Sequence, residues 1–428
     1  MSQKKYHITT IGCQMNISDS ERISSYLEAL GYAPSEDRFG LDVAVVTTCG
    51  VRQTAEDRVY GLIPRIKEDN PGVKVILTGC LSGRKDVQRR LKKYVDIWLP
   101  ITELPLLGEK LDESKKHDAG SLSGYLSINP KYNSGFSAYV PIGNGCDNFC
   151  SYCVVPHARG REIYRPMQEI IEEVQGLLKR AYKEIILIAQ NVNSYKSQNG
   201  NEEMFGFVDL LKSVNDLPGD FWLRFLTNHP KDMSDELIQA VADCEKACHH
   251  IHLPVQAGDD EVLARMNRKY TVEHYKKLVE RIWQVMPDVS LTTDIIVGFP
   301  GETEDQFNCS AELCRWAKFD NIFIGQYSPR PYTAASKMTN DVTKVEKKRR
   351  EEVLTDILRE TAKANHQKWL GQVIEVLVES GKHDKHYGHS RDNTVVEIIG
   401  GSDELIGQFI NIKITEARDF GMTGEIYE

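Results

Sequence analysis

Within the stretch NGCDNFCSYCVVPHARGRE, Cys146, Cys150 and Cys153 form a CxxxCxxC motif. Three thiolates this close, separated mostly by small or polar residues, can hold three corners of an iron–sulfur cube and leave the fourth iron without a protein ligand. The amino and carboxylate groups of S-adenosylmethionine can chelate such an open iron, and an electron from the cluster can then cleave the sulfonium to a 5′-deoxyadenosyl radical. A structural zinc is the weaker reading. It takes four closed ligands, often as two separated pairs, and the one nearby addition, His157, follows Pro156 among arginines that look like anion contacts.

Three more cysteines share a structural context. YHITTIGC ends at Cys13, VAVVTTC at Cys49 and VKVILTGC at Cys80, each an apolar run rich in Val, Ile and Thr, and helical patterns such as Asp19–Leu30 and Ala55–Lys67 lie between them. This alternation predicts parallel βαβ units. Ligands of an open α/β sheet bind beyond the carboxyl ends of its strands, so three cysteines 36 and 31 residues apart are expected at one functional edge. A single such cysteine would be read as core. Three at the same position point to a shared metal site.

The elements that must carry these groups follow from the rest of the pattern. Residues 112–136 are rich in Ser, Gly, Lys and Asp and read as a linker. Strand candidates then recur near 138–142, 184–189, 221–226, 250–255, 289–297 and 321–327, with helices such as Met167–Arg180 and Val272–Val285 between them. Six such units predict a partial (β/α)6 barrel with its site at the carboxyl ends of the strands. Val342–Leu370 is expected to be a solvated connecting helix, and 371–428 a small all-β module of short alternating strands. The fold class is therefore α/β: an N-terminal open parallel sheet, a central partial barrel and a C-terminal small β-barrel.

At 428 residues the chain needs two or three domains. Its 41% hydrophobic and 27% charged residues exclude wholesale disorder and collagen-like repeats. The opening MSQKKYHITTIGC lacks the apolar core of a signal peptide, and no run approaches the roughly 20 apolar residues of a membrane span. A cytoplasmic address with no membrane partner is expected, and reduced thiols with it. The net charge of −9 gives no hint of a nucleic-acid partner.

Taken together, the CxxxCxxC motif, the three-cysteine domain before it and the terminal β-module resemble the methylthiotransferase branch of the radical S-adenosylmethionine superfamily. GCQMN (12–16), CVVPHARGRE (153–162), QNVNSY (190–195), HLPVQAGDD (252–260) and DIIVGFPGET (294–303) are most similar to the MiaB type. The resemblance implies transfer of a methylthio group to carbon 2 of N6-isopentenyladenosine at position 37 of tRNA. The related substrates, threonylcarbamoyl-adenosine in tRNA and a ribosomal-protein aspartate, are the alternatives, and a non-catalytic metal-bearing RNA-binding protein is the alternative of a different class. Asn144, Tyr164 and Tyr332 depart from residues usual in this branch, which are respectively acidic, Ser and Gly.

Carried onto this chain, the resemblance assigns residues 5–120 to an auxiliary-cluster domain, 132–363 to the radical barrel and 365–428 to a TRAM RNA-binding module. It implies two [4Fe-4S] clusters, on Cys146, Cys150 and Cys153 and on Cys13, Cys49 and Cys80, with S-adenosylmethionine as cofactor. The implied partners are a tRNA anticodon loop and an external one-electron reductant, and the oligomeric state stays open. Tyr152 is expected against adenine. Gln190, Asn191 and Asn193 after the second barrel strand, and Asp294 and Gly298 around GFPGE, are the other cofactor candidates; turn residues are their plainer reading. Arg159, Arg161, Arg165, His252 and Gln256 are candidate substrate contacts, and the run Arg84, Lys85, Arg89, Arg90, Lys92 and Lys93 a candidate backbone contact, at least half of it a solvated helix face. With five Lys and Arg against eleven acids, 371–428 is no general phosphate binder, so RNA recognition is expected to rest on shape and an extruded base. Cys244 and Cys248, placed four apart on a helix near His249, His250 and His252, do not converge on a metal. Cys309 and Cys314 are expected to be buried helical thiols.

Overall fold

The computed structural model describes residues 3–111, 124–198, 203–382 and 385–427. The Val-, Ile- and Thr-rich runs become strands. β1 (Lys5–Thr10), β2 (Ala33–Pro34), β3 (Val43–Thr48), β4 (Lys74–Gly79) and β5 (Ile97–Leu99) form one sheet in the order β2-β1-β3-β4-β5, every pairing parallel. Helices α1 (Gln14–Ala29), α2 (Gln53–Asp69) and α3 (Lys85–Leu91) connect them. Val43 and Val45 pack to one face with Ile23 and Leu27 of α1, while Val46 and Leu77 pack to the other with Val59 and Ile63 of α2. This is the two-sided burial of a parallel sheet.

α1 starts five residues before the expected Asp19. Its polar first half conceals it: Asn16, Ser18, Asp19, Ser20, Glu21 and Arg22 are all buried, because this face meets the central domain rather than water. Of the expected linker, 112–123 lies outside the described residues. The part from 124 is packed, not free: Tyr125 and Leu126 join the N-terminal core, and Tyr132 lies edge-on to Tyr182.

The six barrel strands are β6 (Ser137–Pro141), β7 (Glu184–Ile188), β8 (Trp222–Phe225), β9 (His250–His252), β10 (Ser290–Val297) and β11 (Asn321–Gln326). They pair in parallel as β6-β7-β8 and β9-β10-β11, and a parallel bridge from Leu223 to Ala247 links the two sets. Side chains alternate as a strand requires. Ile185 and Leu187 join the outer core under the helices, whereas Ile186 and Ile188 point inward and meet Met15 of α1. The N-terminal domain thus lies over the incomplete side of the barrel.

α4 (Lys344–Gln367) is not the solvated connector expected. Leu354, Ile357 and Leu358 are buried against the barrel, and so are Lys347 and Arg350, whose charges find partners there. It leads into a closed barrel of β12 (Val373–Lys382), β13 (Lys385–Ser390), β14 (Val395–Ile399), β15 (Phe409–Arg418) and β16 (Gly421–Ile426), in the order β12-β13-β14-β16-β15. Closure removes the unpaired edges a five-stranded sheet would expose. Two cysteine expectations are corrected. The helix Asp235–Asp243 stops at Cys244, so Cys248 lies beyond it, and Cys309 is exposed while Cys314 is buried.

Candidate active site

β1, β3 and β4 each release a cysteine at the carboxyl edge of the sheet. Gly12 (φ +135°) and Gly79 (φ +81°), just before Cys13 and Cys80, adopt backbone that side chains disfavour. A β-carbon on Gly12 would come within 2.9 Å of that of Cys49. Cys13 also begins α1 with extended backbone, φ −96° and ψ 178°. Cys49 is buried and Cys13 stands at the exposed rim; loss of surrounding water raises both thiols, Arg159 opposes this at Cys13, and Cys80 adds to it at both.

The second triad sits on the loop after β6. Gly143–Asn144 pairs antiparallel with Ile163–Tyr164 and closes the loop at its base. Gly145 (φ +84°) has room for no side chain against the Arg161 carbonyl, and its N–H donates to Gln190 Oε1 at 2.5 Å. Phe149 is held at φ +48° while the Asn267 amide donates to its carbonyl at 2.9 Å. Ser151 is fastened to the carbonyls of Met266 and Arg265. Burial, then Cys150, pushes the Cys153 thiol up to about 12, and burial raises Cys146.

The two triads face each other across the domain seam. A β-carbon on Gly50, next to Cys49, would stand 3.1 Å from Cys80 Cβ and 3.3 Å from Val154 Cγ1, next to Cys153. Cys153 feels Cys80 electrostatically as well as its own partners. Among the described residues no three His, Cys, Asp or Glu side chains gather as ligands of one ion. A zinc site needs thiolates about 2.3 Å from a common point, whereas thiolates on separate irons of a cube need not converge. The donor sets suit clusters: Cys49 and Cys80 are buried, Cys146, Cys150 and Cys153 half-buried and Cys13 exposed at the rim, so the thiols line a seam open on one side.

Arg159 does not await substrate. It is buried, donating to Asp19 Oδ2 at 2.7 Å and Asn16 Oδ1 at 2.8 Å on α1 and to Asn144 Oδ1 at 3.0 Å. It therefore joins the element that follows Cys13 to the loop that carries Cys146. Arg165 is likewise taken, by Glu173 at 2.7 Å and the Pro141 carbonyl at 3.0 Å. Arg161 alone of the three is open, its side chain 73% exposed, paired with Asp147 and 5.3 Å from the Phe149 ring. In the basic run Arg84 is buried against Glu56 and Asp86, and Arg90 lies over Tyr60, while Lys85, Arg89, Lys92 and Lys93 are exposed.

The cofactor candidates divide in the same way. Asn193 is spent on both backbone groups of His229, and the Gln190 side-chain oxygen on the Gly145 N–H. Asn191 gives its amide N–H to Asp232 at 2.8 Å, but its buried Oδ1 has no partner, a vacant acceptor suited to an amino group. Asn228, not anticipated from sequence, offers a second vacant Oδ1 at the end of β8. Its neighbour Thr227 and Gln256 both hold left-handed backbone at φ +75°, strain of the kind that collects at functional sites. This shared backbone oddity is invisible in composition. His252 Nε2 lies 3.7 Å from Asp294 Oδ2, with Phe323 edge-on at 5.6 Å. Gly298 (φ +69°) packs against Lys347 and donates to Glu302 at 2.6 Å. Tyr152 is part-buried at the edge of the barrel core. Arg268, also unanticipated, donates to Cys150 Sγ at 3.4 Å.

Family models match three stretches: the Radical SAM superfamily at 140–314, Uncharacterized protein family UPF0004 at 5–100 and the TRAM domain at 367–427. A tRNA-2-methylthio-N(6)-dimethylallyladenosine synthase of Syntrophomonas wolfei is 43% identical, over 99% of this chain and 98% of the relative. One of the same name from Thermoanaerobacter pseudethanolicus is 41% identical over 99% and 93%. Among solved structures, the radical S-adenosylmethionine methyltransferase TsrM of Kitasatospora setae superposes with a TM-score of 0.59 at 12% identity, covering 78% of this chain and 77% of its own. At that identity the likeness is one of fold.

Proposed function

The chain belongs to the tRNA-2-methylthio-N6-dimethylallyladenosine synthase family of radical S-adenosylmethionine enzymes, and from that premise we infer how its residues divide the work. The reaction replaces the hydrogen on carbon 2 of N6-isopentenyladenosine, at position 37 of tRNA, with a methylthio group. That aromatic C–H is unreactive, so bond cleavage and sulfur delivery need separate agents. When bound, S-adenosylmethionine on one [4Fe-4S] cluster supplies hydrogen-abstracting power, and a second cluster supplies sulfur.

Cys146, Cys150 and Cys153 hold the first cluster, and Cys13, Cys49 and Cys80 the second. The observation that carries this reading is the seam itself: two three-thiol sets from different domains, brought face to face through Gly50 and Val154. Asn191 and Asn228 present vacant carbonyl oxygens to the cofactor's polar end, and Gly298 lets backbone approach its adenosyl part. His252, Asp294 and Phe323 line the inner wall beneath, where the base enters. Arg161 touches the RNA backbone, and the TRAM module holds RNA outside the catalytic seam. An external one-electron donor serves the first cluster. Among the described residues no helix is long and apolar enough to cross a membrane, and a tRNA substrate places the work in the cytoplasm.

Nucleoside analysis of tRNA from cells lacking the gene tests the substrate. Loss of methylthio-isopentenyladenosine, with isopentenyladenosine accumulating, is expected; an unchanged level overturns it. Restoring the gene with Cys49→Ala tests the division of labour. The purified variant should cleave S-adenosylmethionine and insert no sulfur, and retained insertion would remove the second triad from the reaction.

A further inference from the structure

Arg268 is 8% exposed and uses its guanidinium in three directions. Nε donates to Tyr270 Oη at 2.7 Å, Nη2 to the Pro254 carbonyl at 2.6 Å and Nη1 to Cys150 Sγ at 3.4 Å. The first two partners fix the plane of the group, since one is a backbone atom and the Tyr270 hydroxyl is itself tied to the Val255 carbonyl at 2.8 Å. The Nη1 contact is thereby aimed at one sulfur and cannot swing away. Asn267, one residue earlier, holds the backbone of Phe149, immediately before Cys150, so a single short segment grips this part of the loop and places the charge.

We propose that Arg268 is a positioning residue that sets the reduction potential of the cluster held by Cys146, Cys150 and Cys153, by presenting a fixed, charge-assisted N–H to the Cys150 sulfur. The proposal rests on the assignment of that cluster. Reduction takes one electron from an external donor, with no bond made or broken, and leaves the cluster and its thiolates one unit more negative. A buried cation donating to one of those sulfurs favours the more negative state, because hydrogen bonds to sulfur and local charge are the protein's means of tuning such centres. The segment 265–268 therefore makes the first cluster easier to reduce. Two buried guanidiniums act on the auxiliary triad electrostatically, Arg159 and Arg330, and both are paired with carboxylates, Asp19 and Glu56.

The test uses the full chain carrying Cys13→Ala, Cys49→Ala and Cys80→Ala, reconstituted anaerobically so that one cluster loads and can be followed by electron paramagnetic resonance during a redox titration. About four irons per chain with Arg268 in place is required first; failure there overturns the cluster assignment, which is a separate result. Arg268→Gln is then expected to leave iron content unchanged and cut the ratio of reduced to oxidised cluster at least tenfold at a given potential, a fall of about 59 mV for one electron. Arg268→Lys, which keeps the charge, should recover most of that shift. An unmoved potential in Arg268→Gln overturns the proposal. Loss of iron from both Arg268→Gln and Arg268→Met, but not from Arg268→Lys, assigns Arg268 to assembly and overturns it equally.

Discussion

Arg159 and Arg161 stand two residues apart, with side chains 3% and 73% exposed. Substitution should separate them. Arg159→Met leaves Asp19 buried without its counter-charge and is expected to cost about 3–5 kcal/mol, read as a lower denaturation midpoint; Asp19→Asn in the same background should return part of it. Arg161→Ala should hold stability within about 0.5 kcal/mol. It should weaken tRNA binding and flatten the dependence of log affinity on log salt by about 0.7–0.9, one phosphate contact. The sequence spoke clearly for the six cysteines, whose spacing after apolar strands is a local signal. It could not separate these two arginines, because the partner that buries Arg159 lies 140 residues away.

Elements were legible where their pattern is local. The six barrel strands lie within a few residues of their expected places, since an apolar run bounded by breakers needs no distant information. α1 and α4 were misjudged for a common reason: both bury polar side chains against partners the sequence does not adjoin. For α4 this has a functional side. Lys347 backs Gly298, and Arg350 holds Glu302 at 2.7 Å, the carboxylate that also takes the Gly298 N–H. The GFPGE turn is therefore shaped by a helix that continues into the terminal barrel. Gly298→Ala combines left-handed backbone, costing about 1–2 kcal/mol, with a collision against Lys347. S-adenosylmethionine binding by titration calorimetry should weaken about tenfold, while denaturation stays cooperative; unchanged affinity would detach this turn from the cofactor.

At the scale of the molecule, the terminal barrel docks on the starting ends of the central strands. His389 Nε2 meets Glu184 Oε1 at 2.9 Å and its Nδ1 meets Glu379 at 3.0 Å; Arg224 pairs with Glu184 at 3.0 Å, and Trp222 packs on Phe409. Burial disfavours charge on His389, but the two carboxylates outweigh it and raise its pKa to about 9. Burial likewise opposes the Glu184 carboxylate, yet His389 and Arg224 bring it to about 2. His250 nearby is held neutral, first by burial. A raised histidine stabilises fully below its unfolded value and loses that stability as pH climbs through the folded one; a depressed carboxylate stabilises above its unfolded value and fails in acid. The seam should be firmest between about pH 4.5 and 6.5 and loosen from there towards pH 9. The protection of the 386–390 amides, relative to their intrinsic exchange at each pH, should fall across that window, and His389→Phe should abolish the fall.

The same docking puts the TRAM barrel and the paired thiol sets at opposite ends of the central strands. β10 alone, at eight residues, spans about 26 Å. An RNA that touched both ends would therefore have to span the height of the barrel. Full-length tRNA is therefore expected to bind more tightly than an anticodon hairpin trimmed to a few base pairs, and equal affinities in a direct binding assay would detach the terminal barrel from the substrate.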